Sequence, residues 1–379
     1  MRATVRLFAL VAACLFAAVG HAAEPIRIGA IFSVTGPASF LGEPERNTAL
    51  MAADALNAAG GLLGRQVEVI VYDDESDVNK AVLASDKLLK MHRAVAVIGP
   101  SISGNTLAIM NKFERARVPL ISCAAAEKIA NPVNPWVFKT PQSDRHAAQR
   151  ILAHAKAAGH SRLAIVTVSD GFGQAGREVL KELIPAQGFT LVADEVYGPK
   201  DTDMTAQLTK IKAQNPDAVI CWGTNPGPAV IARNRVQLGL DVPLYMSHGV
   251  ASRRFIELAG DAAEGLLLPA GRLAVFEQIP EDHPQKALLT TYAKDYEERF
   301  KQPVSSFGGY AYDALMLVAE AIRQGGSAEP AAIRDNLERI QGFWGATGQF
   351  NFSPEDHNGL TQDAFEMVVI ENGDWKIVR

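Results

Sequence analysis

The sequence predicts an α/β protein of two doubly wound lobes joined by three crossover strands. Three observations predict it. Short apolar strands alternate with amphipathic helices through residues 26–121, an order that gives a parallel sheet with helices on both faces. The same alternation restarts at residue 163 and runs to 268. The last third then carries three helices with almost no strand between them, and a closing hairpin. Helices alone cannot make a third α/β layer, so they must cover sheets already laid down, and the chain must cross back between lobes. Pro141, Pro269 and the segment near Phe350 are the candidate crossings. They assign residues 24–140 and 270–349 to a first lobe, and 141–269 and 350–379 to a second.

In chain order, residues 26–31 form the first strand, and 46–59 a helix stopped by Gly60-Gly61. Residues 67–72 alternate into a strand ended by Asp73-Asp74, and 78–91 form a helix with Val82, Leu83, Leu88 and Leu89 on its apolar side. A buried strand at 94–98 closes on Gly99-Pro100; a helix at 103–115 and a strand at 118–121 complete the unit. The second, also Rossmann-like, unit has strands at 163–168, 190–196, 218–222, 244–247 and 265–268, with helices at 175–187, 205–214 and 228–238. Helices follow at 284–300, 310–324 and 330–340, then strands 365–370 and 375–378 folded over Asn372-Gly373.

The 379 residues are 48% hydrophobic and 21% charged, a globular composition that excludes disordered and fibrous classes. A formal charge of −5 argues against nucleic acid as a partner. Arg2 and Arg6 precede an apolar run at 7–19, which is shorter than the roughly 20 residues a spanning helix needs. With His21-Ala22-Ala23 behind it, the run reads as a secretory signal, residues 1–23, cleaved after Ala22 or Ala23. A lipoprotein signal at Cys14 is the alternative, disfavoured because residues 15–18 stay apolar. Removing the signal takes away two arginines and leaves −7. Cys123 and Cys221 then fall on different lobes, where a disulfide would lock a hinge, so two buried free thiols are expected.

Gly171-Phe172-Gly173-Gln174-Ala175-Gly176 matches the dinucleotide fingerprint, with Glu195 about 20 residues on. An exported chain meets little nicotinamide cofactor, and no acid or base for hydride transfer accompanies the motif. A secreted dehydrogenase is therefore a remote alternative; no cofactor and no catalytic residue are expected, and the glycines serve a tight turn. Asp73, Asp74, Glu75 and Asp77 read as a solvated loop, and no metal site is expected.

Two loops at strand ends look like one side of a ligand cleft. Residues 98–106 (IGPSISGNT) run from a buried strand into a helix whose first N–H groups are exposed among small residues. Such a terminus attracts carboxylates, with Ser103 adding a hydroxyl; the alternative is that Ser103 is only the N-cap. Residues 121–126 (ISCAAA) leave the next strand with side chains too small to block the backbone.

These loops, with Ser33-Val34-Thr35-Gly36-Pro37, Asn57-Ala58-Ala59-Gly60-Gly61, Tyr72-Asp73-Asp74, Asp170-Gly171-Phe172-Gly173 and Gly260-Asp261-Ala262-Ala263-Glu264-Gly265 in this order, carry a family likeness. The chain resembles the periplasmic substrate-binding proteins of branched-chain amino acid (Leu/Ile/Val-binding) ABC importers over essentially its whole mature length. The resemblance implies the type I periplasmic binding protein fold, a periplasmic location, and a permease with ATPases as partners; a monomer is expected. Carried over residue by residue, the carboxylate-binding serine falls on Ser103, between Ile102 and Gly104. The backbone-contact loop falls on Ala124 and Ala126, and the second-lobe aromatic on Phe172. Thr224 stands where an aromatic is common, and His248 where an acid pairs the ligand's ammonium. Leu41 and Phe307 match apolar wall positions, and Trp222 adds a flat apolar wall.

Two departures shape the expected ligand. Ala126 lacks a hydroxyl common there, and His248 replaces an anion. A buried ammonium needs a paired charge and hydrogen bonds, so the expectation is a small organic acid without an amine, an aromatic or branched 2-oxo acid or an aromatic acid. The alternative is a branched-chain or aromatic amino acid.

Overall fold

The structure, a computed structural model, describes residues 24–378, so the expected signal lies outside the described residues. The first sheet holds β1 (Ile26–Phe32), β2 (Val67–Asp73), β3 (Ala96–Ile98), β4 (Leu120–Ser122) and β5 (Val137–Lys139), all parallel in the order β2-β1-β3-β4-β5. The order reverses at β1, which opens a crevice beyond the carboxyl ends of β1 and β3. The second sheet holds β6 (Arg162–Val168), β7 (Thr190–Tyr197), β8 (Ala218–Trp222), β9 (Leu244–Met246), β10 (Leu267–Gly271), β13 (Phe365–Glu371) and β14 (Asp374–Ile377). Its order, β14-β13-β10-β9-β8-β6-β7, reverses at β6 and opens the matching crevice. A two-stranded ribbon, β11 (Phe343–Trp344) with β12 (Gln349–Phe350), stands apart.

Helix α1 (Ser39–Ala58) starts earlier than its sequence suggests and takes Pro44 into its second turn. Helix α2 (Val78–Lys87) is capped by Asp77, and α3 (Ser103–Ala116) begins at the cleft. Several elements escape the sequence pattern, and two of them flank the first crossing. Strand β5 is three residues long and ends in a buried lysine. Half of the residues that helix α4 (Asp144–Ala157) buries are alanines, which give little apolar periodicity. Helices α5 (Gly171–Ala186), α6 (Thr205–Ala213), α7 (Gly227–Gln237) and α8 (Arg253–Ala259) flank the second sheet. Of α9 (Lys286–Phe300), α10 (Ser306–Gly325) and α11 (Pro330–Leu337), α10 lies along α1 and buries Ala314, Leu315, Val318 and Ile322 in the core of β1.

Phe350 is not at a crossing. Phe350, Phe352, Leu360 and Ala364 share the core of β1 and α10, with Phe352 edge-on to Phe138 at 5.4 Å. Burying these aromatics keeps the chain on the first sheet until Phe365, where β13 joins β10 antiparallel. The first and third crossings are tied together: Gln142 Nε2 donates to the Ala364 carbonyl (2.9 Å) and Asn358 Nδ2 to that of Pro141 (2.8 Å). Cys123 and Cys221 are buried free thiols.

Candidate functional site

The two crevices face each other and enclose a cavity of about 290 Å³. The first sheet contributes Leu41 from α1, Ser101 and Ile102 from the loop after β3, and Ser103 and Gly104 from the start of α3. The second contributes Asp170 and Phe172 after β6, Thr224 and Asn225 after β8, and His248 after β9. Phe307 and Tyr310 reach in from α10.

Two helix N-termini meet here, and they differ. Helix α3 has Ile102 at its N-cap and no side-chain cap, so its first amides stay free for a ligand. Ser103 is thus the first helical residue; its Oγ accepts from the Ala126 N–H (3.2 Å), which leaves the hydroxyl proton to donate. Helix α5 is capped by its own carboxylate: Asp170 Oδ1 accepts from the N–H groups of Phe172 (3.0 Å) and Gly173 (2.8 Å). The ends touch at Gly171, where a Cβ would lie 3.1 Å from Gly104 Cα. The cap also disposes of the dinucleotide motif. A carboxylate holds the amides a pyrophosphate would need, while Gly173 and Gly176 give the close approach of α5 to the Val168 carbonyl and the Trp222 indole.

His248 sits edge-on to Phe172 (5.5 Å), Trp222 (5.8 Å) and Phe365 (5.4 Å) and is buried. Burial first, then the positive charges of Lys139 and His146, hold its pKa down to about 3, so the ring is neutral. Burial raises the pKa of Asp170, against the two N–H bonds that favour its charged form. Among the described residues Asp170 is the only acid lining the cavity.

Three expected residues are placed differently. Trp222 is wholly buried behind Phe172, 5.9 Å away, and forms the layer beneath the wall. Ala124 and Ala126 turn into the core, their N–H groups taken by Ser122 Oγ and Ser103 Oγ, and Ala125 lines the cavity instead. The carboxylates at the end of β2 divide: Glu75 and Asp77 are exposed, as a solvated loop requires, but Asp73 and Asp74 are engaged in the fold. Asp74 is fully buried, accepting from Ser33 Oγ (2.7 Å) and Asn105 Nδ2 (2.7 Å), and Asp73 binds the Val34 and Thr35 amides (3.0 and 3.2 Å).

Sequence reasoning missed Asp170, Asn225 and Lys139. The position of Asp170 directly before Gly171 was an available N-cap signal. Lys139, fully buried, donates from Nζ to the Ala125 carbonyl and so holds the cleft loop. It faces Asp144 across the first crossing; burial lowers the lysine's pKa and raises the aspartate's, and each charge opposes the other's shift.

Comparison with known proteins places the chain. The family described as periplasmic binding protein matches residues 25–374. A leucine-, isoleucine-, valine-, threonine- and alanine-binding protein of Pseudomonas aeruginosa is 29% identical over 356 residues, 92% of this chain and 91% of that one. An extracellular ligand-binding receptor from Rhodopseudomonas palustris HaA2 superposes with a TM-score of 0.87 at 28% identity, covering 93% of this chain and 99% of the other. The branched-chain amino acid transporter substrate-binding protein of Streptococcus pneumoniae, solved with isoleucine, gives 0.81 at 26% identity, covering 93% and 98%.

Proposed function

The chain belongs to the periplasmic binding protein family, and from that premise we propose that it captures a small neutral α-amino acid between its lobes and delivers it to a membrane permease with its ATPases. It is a solute-binding protein of the branched-chain amino acid transporter type, not an enzyme. The expectation of an acid without an amine gives way to the amino-acid alternative, which the relatives favour. Export through the signal at residues 1–23 belongs to this proposal.

The observation that carries the reading is the pairing of unlike ends. Helix α3 offers free amides and the Ser103 hydroxyl, which suit a carboxylate. Asp170, directly before the point where the helices touch, has one oxygen that accepts no hydrogen bond from a described residue, which suits an ammonium. Leu41, Phe172 and Phe307 supply apolar contact. The first lobe holds the carboxylate, and the second closes over it by hinge motion through the crossings.

The neutral His248 on the cavity wall favours a second reading, the amine-free acid. Calorimetry on matched pairs separates them: leucine with 4-methyl-2-oxopentanoate, alanine with pyruvate, phenylalanine with phenylpyruvate. Tighter binding of the amino acid, lost in Asp170→Asn, supports the first reading; tighter binding of the oxo acid, kept in Asp170→Asn, replaces it with the second.

A further inference from the structure

The second-lobe wall carries more unused polar chemistry than an aliphatic ligand needs. Asn225 and His248 both line the cavity, and both are more than nine-tenths buried, at 7% and 2% exposed. Asn225 Nδ2 and Oδ1 have no hydrogen-bond partner among the described residues, and neither have Nδ1 and Nε2 of His248. Their neighbours do not compete. The rings around His248 are Phe172, Trp222 and Phe365, and Asn225 stands between Thr224 and Pro226. By contrast, Ser101 on the first-lobe wall is fully engaged, accepting from the Ser33 N–H (2.9 Å) and donating to Glu45.

A buried amide and a buried neutral imidazole each present a donor and an acceptor. Left unpaired they are costly, and an alkyl side chain would leave them so. We propose that Asn225 and His248 form a polar subsite that reads a hydroxyl or carboxamide on the captured solute, so that this cleft selects small polar amino acids over branched aliphatic ones. The inference rests on the reading of the cleft as an amino-acid site and deepens it.

Isosteric pairs test it. Protein freed of co-purified solute by unfolding and refolding is titrated calorimetrically with threonine against valine and with asparagine against leucine. A polar member tighter by about tenfold or more in either pair, with the gain lost in Asn225→Leu, is expected. Equal or tighter binding of the alkyl member in both pairs overturns the subsite. A second arm needs no ligand. The solute-free Asn225→Leu and His248→Leu proteins should melt at or above the unaltered protein, because each removes unpaired buried polar atoms. A fall of about 4 °C or more in both means that these groups are paired within the fold, by ordered water, and overturns the proposal. If no amino acid or oxo acid binds, the amino-acid reading fails, and the melting arm alone decides the subsite.

Discussion

Substituting Gly171 by alanine should weaken capture without weakening the lobes. The residue opens α5 and faces the opening of α3 across the cleft. A Cβ there would lie 3.1 Å from Gly104 Cα, 3.2 Å from Gly104 N and 3.8 Å from the Ser103 carbonyl carbon. The first two are inside ordinary van der Waals contact, and both belong to helix backbone that moves only with its lobe. Every crowded atom lies on the opposite lobe, so the strain exists only when the lobes are shut. Overpacking of this kind costs about 1–3 kcal/mol. Charged to closure alone, that lowers affinity roughly 5- to 150-fold. Titration calorimetry with the best solute of the panel reads the affinity, thermal unfolding of the solute-free protein reads the cost within each lobe, and small-angle scattering reads closure. The expected result is weaker binding, an unchanged solute-free melting temperature, and a larger radius at subsaturating solute. Unchanged affinity, or a fall in solute-free stability that accounts for the whole loss, would refute closure through the α3–α5 contact.

Three further outcomes follow from the same geometry. Ser103→Ala removes the hydroxyl donor to a carboxylate and an acceptor for the Ala126 amide; affinity should fall about 10-fold or more by calorimetry, with a modest drop in melting temperature. Lys139→Met leaves Asp144 buried without its counter-charge and frees the Ala125 carbonyl; urea unfolding should show a loss of about 3–5 kcal/mol, much of it restored by adding Asp144→Asn. His248 is pKa-depressed to about 3 on folding, so the unfolded chain takes up its proton first as pH falls. Its contribution is present above the unfolded value of about 6.5 and is lost on acidification towards 3. Relative to His248→Leu, the unaltered protein should therefore lose about 2 kcal/mol between pH 7 and 5 in urea titrations; an unchanged difference would mean that the ring is protonated or solvent-reached in the folded state.

Most of the scaffold is legible in the sequence because parallel strands buried on both faces leave continuous apolar runs, and their helices a 3.6-residue rhythm. What failed did so for identifiable reasons. In Ala218–Trp222 all five residues are buried, so no alternation distinguishes a cleft-facing ring from a core one, and Trp222 could not be told from a wall. In the run of alanines at 124–126 the side chains are identical, and only the anchors Ser122, Ser103 and Lys139 decide which one turns to the cavity. Lys139 itself looks like a surface residue, because its partners come from the loop before β5 and the helix after it. Asn225, ahead of Pro226 and Gly227, reads as turn chemistry, and nothing local betrays that its amide is buried and unpaired.

The contrast between the helix ends was legible only in part: the sequence marks the start of α3 as a carboxylate site and the α5 glycines as a turn, but not the Asp170 cap that separates them. Both α3 and α5 begin with small residues after a strand, and α5 carries the fingerprint glycines. Asp170 decides between them, because a helix end that has taken up its own carboxylate repels a second. Helix α3, whose N-cap is an isoleucine without a polar atom, keeps its amides free. The helix end suited to an anion is therefore the one with the plainer sequence, and on the proposed reading the acid that silences its rival meets the opposite charge.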